Sequence, residues 1–177
     1  MKKKLVLITE RWHPSWGGAE KNLAQMGERF IQKGIEVWIL SQNFEKGHNS
    51  FQYIPLSIPK KPRSLHALLF AHQAMKKMKE LHDAVTMAIA RVPHAHIYQP
   101  HGGVLQNNLH QAYQLGNPWL RELGKLLSPK IWAFLELERQ IYHSPKTQAF
   151  VALSQKVKKN MIRYYRLPQT KCPLVYN

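Results

Sequence analysis

Three loops carry the residue types that do chemistry. The first runs Glu10-Arg11-Trp12-His13-Pro14-Ser15-Trp16-Gly17-Gly18-Ala19-Glu20-Lys21. A glycine pair lets backbone come close to a bound group, and a helix starting there aims free N–H groups and a positive dipole end at an anion. The loop is not a Walker sequence, because no Gly-Lys-Ser/Thr follows, and it lacks the three-glycine dinucleotide fingerprint. By pattern alone it is equally a tight strand-to-helix turn. The second loop is Tyr98-Gln99-Pro100-His101-Gly102-Gly103. The ordinary pKa of His101 suits proton transfer near neutrality, although a hydrogen-bonded structural role is the commoner fate of one histidine among 10. The third begins at Ser154-Gln155-Lys156 and continues through Lys158, Lys159, Arg163, Arg166 and Lys171 with no acidic residue. Such a run is ordinarily a solvated helix face.

The elements that position these loops alternate. Leu5, Val6, Leu7 and Ile8 form an apolar run without polar alternation, which predicts a buried strand over Lys4–Thr9. From Gly18 the period becomes helical, with Leu23, Met26, Phe30 and Ile31 on one face and Gly34 where a helix would stop. Val37–Leu40 predicts a second buried strand. Tyr53–Ile58 reads as an edge strand because of Pro55 and Pro59, and Pro62-Arg63-Ser64 as a turn with an N-cap candidate. Leu65, Leu68, Leu69, His72, Met75 and Met78 form a helical stripe. Ala84–Ile89, His96–Gln99 and Ala149–Leu153 predict further strands. Leu105–Leu115 and Ser128–His143 predict helices, the second with Ser128 as N-cap and Pro129 in its first turn. Ser154 caps a helix from Gln155 to about Arg166, and Leu174-Val175-Tyr176 begins a last strand. This alternation predicts an α/β fold: a Rossmann-like three-layer sandwich around a mostly parallel, doubly wound sheet. In such a sheet ligands bind beyond the carboxyl ends of the strands, where all three loops fall.

Composition narrows the class. At 177 residues the chain suits one domain, and 44% hydrophobic content argues against disorder despite a net charge of +16. The single Cys172 excludes an internal disulfide framework and fits a reducing compartment. The apolar stretch after Lys2, Lys3 and Lys4 is broken by Glu10 and Arg11, too soon for a signal peptide. No stretch reaches the ~18 apolar residues of a membrane span. A soluble, cytoplasmic protein attracted to anions is expected. His94 and His96 alternate along a strand-like segment, but two histidines without a carboxylate or Cys make a poor metal site. Glu136 and Glu138 read as a solvated helix face.

Taken together the three loops resemble the N-terminal domain of retaining glycosyltransferases of the GT-B fold. That family begins with a strand, a Gly-Gly-Ala-Glu-Lys/Arg loop and a long helix, matched by Gly17-Gly18-Ala19-Glu20-Lys21. It also has a strand ending Ala/Val-Leu-Ser, then a basic helix and Val-x-Asn-Gly, matched by Val151-Ala152-Leu153-Ser154-Gln155-Lys156 and Val175-Tyr176-Asn177. The stretch from Arg91-Val92-Pro93 to Gly103 is similar to the lipopolysaccharide-core glucosyltransferases. The resemblance implies that the chain is a single acceptor-side domain, 1–177, without the C-terminal nucleotide-sugar-binding domain, and that it does not turn over alone. It implies donor or acceptor binding by Gly17, Gly18, Glu20, Lys21, Gly102, Gly103, Ser154 and Lys156. His101 is the implied catalytic residue, as a base or by stabilising charge; in retaining transfer the leaving phosphate can itself take the acceptor proton. No metal and no cofactor are implied.

The resemblance implies a nucleotide-sugar donor, a UDP-sugar first, and a membrane-linked glycan or lipopolysaccharide-type acceptor. The charge then has a use at an anionic membrane surface, where each basic residue contributes about 1 kcal/mol. Between Leu105 and Tyr142, apolar and aromatic residues (Trp119, Leu120, Leu123, Leu126, Leu127, Ile131, Trp132, Phe134, Leu135) mix with Arg121, Lys125 and Lys130. This is the composition of a helix lying in a membrane interface, and equally that of core or interdomain surface. Peripheral attachment to the inner membrane face is the corresponding expectation. The alternative is a non-catalytic basic α/β module on anionic membrane or nucleic acid; nucleic acid is disfavoured because no reading motif is present.

Overall fold

The computed structural model describes residues 3–13, 15, 17–44, 50–59, 65–114 and 128–176. Eight strands lie among the described residues: β1 Lys4–Ile8, β2 Arg11–Trp12, β3 Glu36–Ser41, β4 Asn43–Phe44, β5 Gln52–Pro55, β6 Ala84–Ala88, β7 Ile97–Tyr98 and β8 Ala149–Phe150. Among the described residues there are five α-helices: α1 Gly18–Gln32, α2 His66–Met78, α3 Leu105–Gln114, α4 Pro129–Tyr142 and α5 Gln155–Tyr165. Six strands form one sheet in the order β5-β3-β1-β6-β7-β8, and every pairing in it is parallel. The expected parallel α/β sheet is thus present. Counted along the sheet this is the 3-2-1-4-5-6 order, whose direction of winding reverses between β1 and β6.

Strand β1 shows why the run at 5–8 carries no polar residue. Leu5 and Leu7 join Leu23, Ala24, Val37 and Ile39 beneath α1, while Val6 and Ile8 join Leu40, Phe70, Ile141 and Phe150 on the other face. Val6, Leu7 and Ile8 have no exposed surface, each such burial being worth about 1.5–3 kcal/mol. A Cβ placed on Gly27 of α1 would lie 2.7 Å from the Phe51 ring, so this helix needs a glycine there to sit close to the sheet. Gly34, at φ +78°, ends the same helix as expected.

Several expectations are corrected. In α2 the deeply buried residues are Phe70, Ala71 and Ala74; Leu65 is 42% exposed and His72 is exposed. Leu69, Met75 and Met78 of the expected stripe do pack against the core, but the helix is turned so that Phe70 and the small alanines approach the sheet. His94 is not on a strand: it sits in a turn at φ +67°, while His96 accepts the backbone N–H of Thr86 at Nδ1, 3.0 Å away. Glu138 is not solvated but wholly buried, whereas Glu136 is exposed and paired with Arg139 at 2.8 Å. Ser128 stands at the N-cap of α4 in extended backbone but makes no side-chain capping bond. Strand β8 is shorter than 149–153, because its partner β7 ends at Tyr98; Ala152 instead bridges in parallel to Leu174, the start of the expected last strand. The segment after β1 also contains an element with no periodic signal, since β2 pairs with β4 in a separate parallel ladder and carries Trp12 into the core. The turn expected at residues 62–64 and the part of the interface stretch at residues 119–127 lie outside the described residues.

Candidate functional site

At the reversal point, the carboxyl ends of β1, β6 and β7 open into a cavity of about 230 Å³. Its walls are Thr9 and Glu10 after β1, Arg91 after β6, and His101, Gly102 and Gly103 after β7. A second cavity of about 270 Å³ lies beside it, between α1 (Asn22, Met26, Arg29) and Leu153 and Val175. His101 lines both. It is the residue through which the two spaces meet.

The His101 ring is half-buried, and that burial holds its pKa below the ordinary imidazole value; Glu20 acts in the opposite direction. The ring is therefore neutral at pH 7. The side-chain amide nitrogen of Gln99 lies 3.3 Å from His101 Nε2. With that amide donating, Nε2 is the acceptor and Nδ1 carries the proton. The influence of Glu20 on the ring brings the helix after the glycine pair close to His101.

The glycines have separate reasons. Gly17 is the N-cap of α1 in extended backbone, a conformation open to any residue. A Cβ there would meet Glu20 Oε2 at 2.7 Å, so the Glu20 carboxylate occupies the space over the helix start. A Cβ on Gly18 would meet nothing within 4 Å among the described residues. Gly103 has φ +70°, which a side chain disfavours. A Cβ on Gly103 would come within 3.8 Å of Val157 in α5, so the histidine loop and the basic helix are neighbours. Ser154 accepts the N–H of Val157 at 3.2 Å, as a cap should. Gly17, Gly18, Glu20, Lys21, Ser154 and Lys156 line neither cavity, and Lys21 and Lys156 are exposed.

Two residues outside the expected set shape the site. Arg91 lines the first cavity with its guanidinium 4.9 Å from the Phe134 ring centre, and its buried Nε has no hydrogen-bond partner among the described residues. Its signal in sequence was its place just after the β6 run. Glu138 accepts the N–H groups of Leu105 and Gln106 at 2.8 and 3.3 Å and the Tyr165 hydroxyl at 2.7 Å. It therefore satisfies the start of α3 from another helix, so those amides are not available to an anion, and it fixes the loop that carries His101. Burial, reinforced by this bond, raises the Tyr165 pKa. The signal for Glu138 was phase: it lies one turn from Phe134 and from Ile141 on the inward face of α4. Among the described residues no group of three His, Cys, Asp or Glu is placed to hold a metal, and no helix is long and apolar enough to cross a membrane.

Residues 16–177 match the family described as Glycosyltransferase Family 4. No curated protein sequence matches the chain. Among solved structures it is similar to WaaG, a glycosyltransferase involved in lipopolysaccharide biosynthesis, with a TM-score of 0.82 and 13% identity over 97% of this chain and 44% of that one. A glycosyltransferase from Rickettsia africae gives a TM-score of 0.52 at 14% identity over 99% and 43%. A ugt transferase from Siraitia grosvenorii, in complex with UDP, gives 0.51 at 12% identity over 99% and 47%. These likenesses are of fold, and the fold is the expected Rossmann-like one of GT-B glycosyltransferases. The chain spans less than half the length of each of the three.

Proposed function

Because the chain belongs to glycosyltransferase family 4, we propose that it is the acceptor-side domain of a retaining enzyme that moves a sugar from a UDP-sugar to a membrane-linked, lipopolysaccharide-type glycan. A second α/β domain would supply most of the nucleotide contacts, and the chain alone would not turn over. The observation that carries the reading is His101 in the wall of two adjoining cavities at the reversal point of the sheet. In the transfer, the acceptor oxygen forms a bond to the sugar's anomeric carbon as the bond from that carbon to the diphosphate breaks. The acceptor proton passes to the leaving phosphate. A neutral imidazole orients the acceptor hydroxyl or hydrogen-bonds the sugar, and the open side of Gly18 admits the diphosphate. Lys21, Gly102, Ser154 and Lys156 belong to the same proposed binding surface, as does Arg91 through its charge.

The exposed Trp132 (54%) beside Lys130 supports docking on anionic lipid at the inner membrane face. Co-sedimentation with anionic liposomes at moderate salt is expected, and protein that stays in the supernatant contradicts docking. The transfer reading is tested in the chain joined to a nucleotide-binding GT-B domain. His101→Ala should lower transfer about 100-fold or more while leaving the unfolding temperature within a few degrees. Unchanged transfer removes His101 from the reaction.

A further inference from the structure

The amino-end rim of the same sheet holds a larger space that the sugar-transfer reading does not use. It measures about 690 Å³, inside the roughly 300–1,000 Å³ range of small-molecule sites. It shares no lining residue with the cavities around His101. Its apolar wall is Met75, Met78, Leu81 and Pro145, and methionine adapts readily to an irregular apolar guest.

The polar wall has one sign. Lys76, Lys79 and Lys146 line it with His72, His94 and His96, and among the described residues no carboxylate does. Glu80 is nearby but is taken by Lys77. His94, Lys79 and Lys146 line this one space, and the two ammonium groups add to burial in lowering the His94 pKa. His94 Nδ1 is 3.0 Å from the Ser144 hydroxyl, which holds the ring in place. His96 Nδ1 accepts the Thr86 N–H, which leaves the ring hydrogen on Nε2 as a donor. A concave apolar wall, three ammonium groups and a fixed imidazole N–H form a head-and-tail arrangement.

The geometry points to a binding site for a single-chain phosphate monoester: the apolar tail on Met75, Met78, Leu81 and Pro145, the dianionic head between Lys79, Lys146 and the His96 N–H. A phosphate head matches three lysines better than a carboxylate does, because it brings close to two charges at pH 7.

Calorimetric titration of the 177-residue chain with octyl phosphate tests this. One molecule should bind per chain. Octanol, octanoate and inorganic phosphate should each bind at least tenfold more weakly, since each lacks the tail, the head or half the charge. The surface double variant K79E/K146E should lose at least tenfold in affinity at an unchanged unfolding temperature. Met78→Trp, which narrows the space at its apolar wall, should weaken binding, and His101→Ala should leave it intact. Absence of octyl phosphate binding overturns the site. So does a control ligand that binds as tightly, or full affinity in K79E/K146E.

Discussion

His101 and His94 stand at opposite rims of one parallel sheet, and burial lowers the pKa of both. Their neighbours act in opposite directions. Glu20 partly restores His101, whereas Lys146 and Lys79 push His94 further down. The carboxyl rim mixes Glu10 with Arg91 around the His101 ring; among the described residues the charged groups of the amino-rim space are lysines beside an apolar wall. The first environment suits uncharged hydroxyls meeting one charged group, and the second suits an anion with a tail. The fold places a cleft at the carboxyl rim of any such sheet. The surrounding charges, not the presence of histidine, separate the two environments.

The contrast depends first on the carboxyl rim being rigidly built, and Glu138 is the largest lever. Glu138→Ala leaves two backbone N–H groups and a tyrosine hydroxyl without their buried acceptor. It should cost about 2–4 kcal/mol in chemical denaturation; a loss below half a kcal/mol would mean that α3 is held by other means. The glycines come next. Gly103→Ala at φ +70° should destabilise by about 1–2 kcal/mol. Gly18→Ala, with open space and helical backbone, should be neutral or stabilise by up to about 1 kcal/mol. If Gly18→Ala nevertheless lowers transfer in the two-domain protein, the cause is a ligand meeting the new methyl group.

Smaller effects concern the rings. Glu20→Gln removes the group that raises His101, so its pKa, followed by NMR, should fall further below 6.5 while that of His94 stays put. Movement of both would erase the distinction between the rims. The pH dependence of stability has a definite sign. The unfolded imidazole titrates near 6.5, above both folded values, so as pH falls the unfolded chain takes up protons first. Stability is undiminished above about pH 6.5 and is lost as pH falls from there through the folded-state values. His94→Gln and His101→Gln should each flatten that decline, measured as unfolding midpoints between pH 7 and 5.

Much of the fold was legible because it is built from strong periods. The unbroken run at Leu5–Ile8 and the 3.6-residue pattern from Leu23 to Ile31 leave little choice once a strand must pack on both faces. Where reading failed, a local property competed with position. In α2 the large Leu and Met side chains outweighed Phe70, Ala71 and Ala74, although close helix–sheet contact favours small residues. The charge of Glu138 points to solvent while its helical phase points inward, and its partners Leu105 and Gln106 are distant in sequence. The two-residue strands β2 and β4 are too short to show any period. His101 was legible as a candidate because proline and glycine bracket it after a strand; Arg91, just past β6, needed the strand order to become visible.

The central claim is that the carboxyl rim around His101 is where the acceptor sits. The most direct measurement is NMR of the isotopically labelled chain titrated with a lipopolysaccharide core oligosaccharide. Saturable shifts at Thr9, His101 and Gly103, with His94 and His96 unmoved, are the predicted result. Shifts confined to His94 and His96, or no shift at millimolar oligosaccharide, would contradict it.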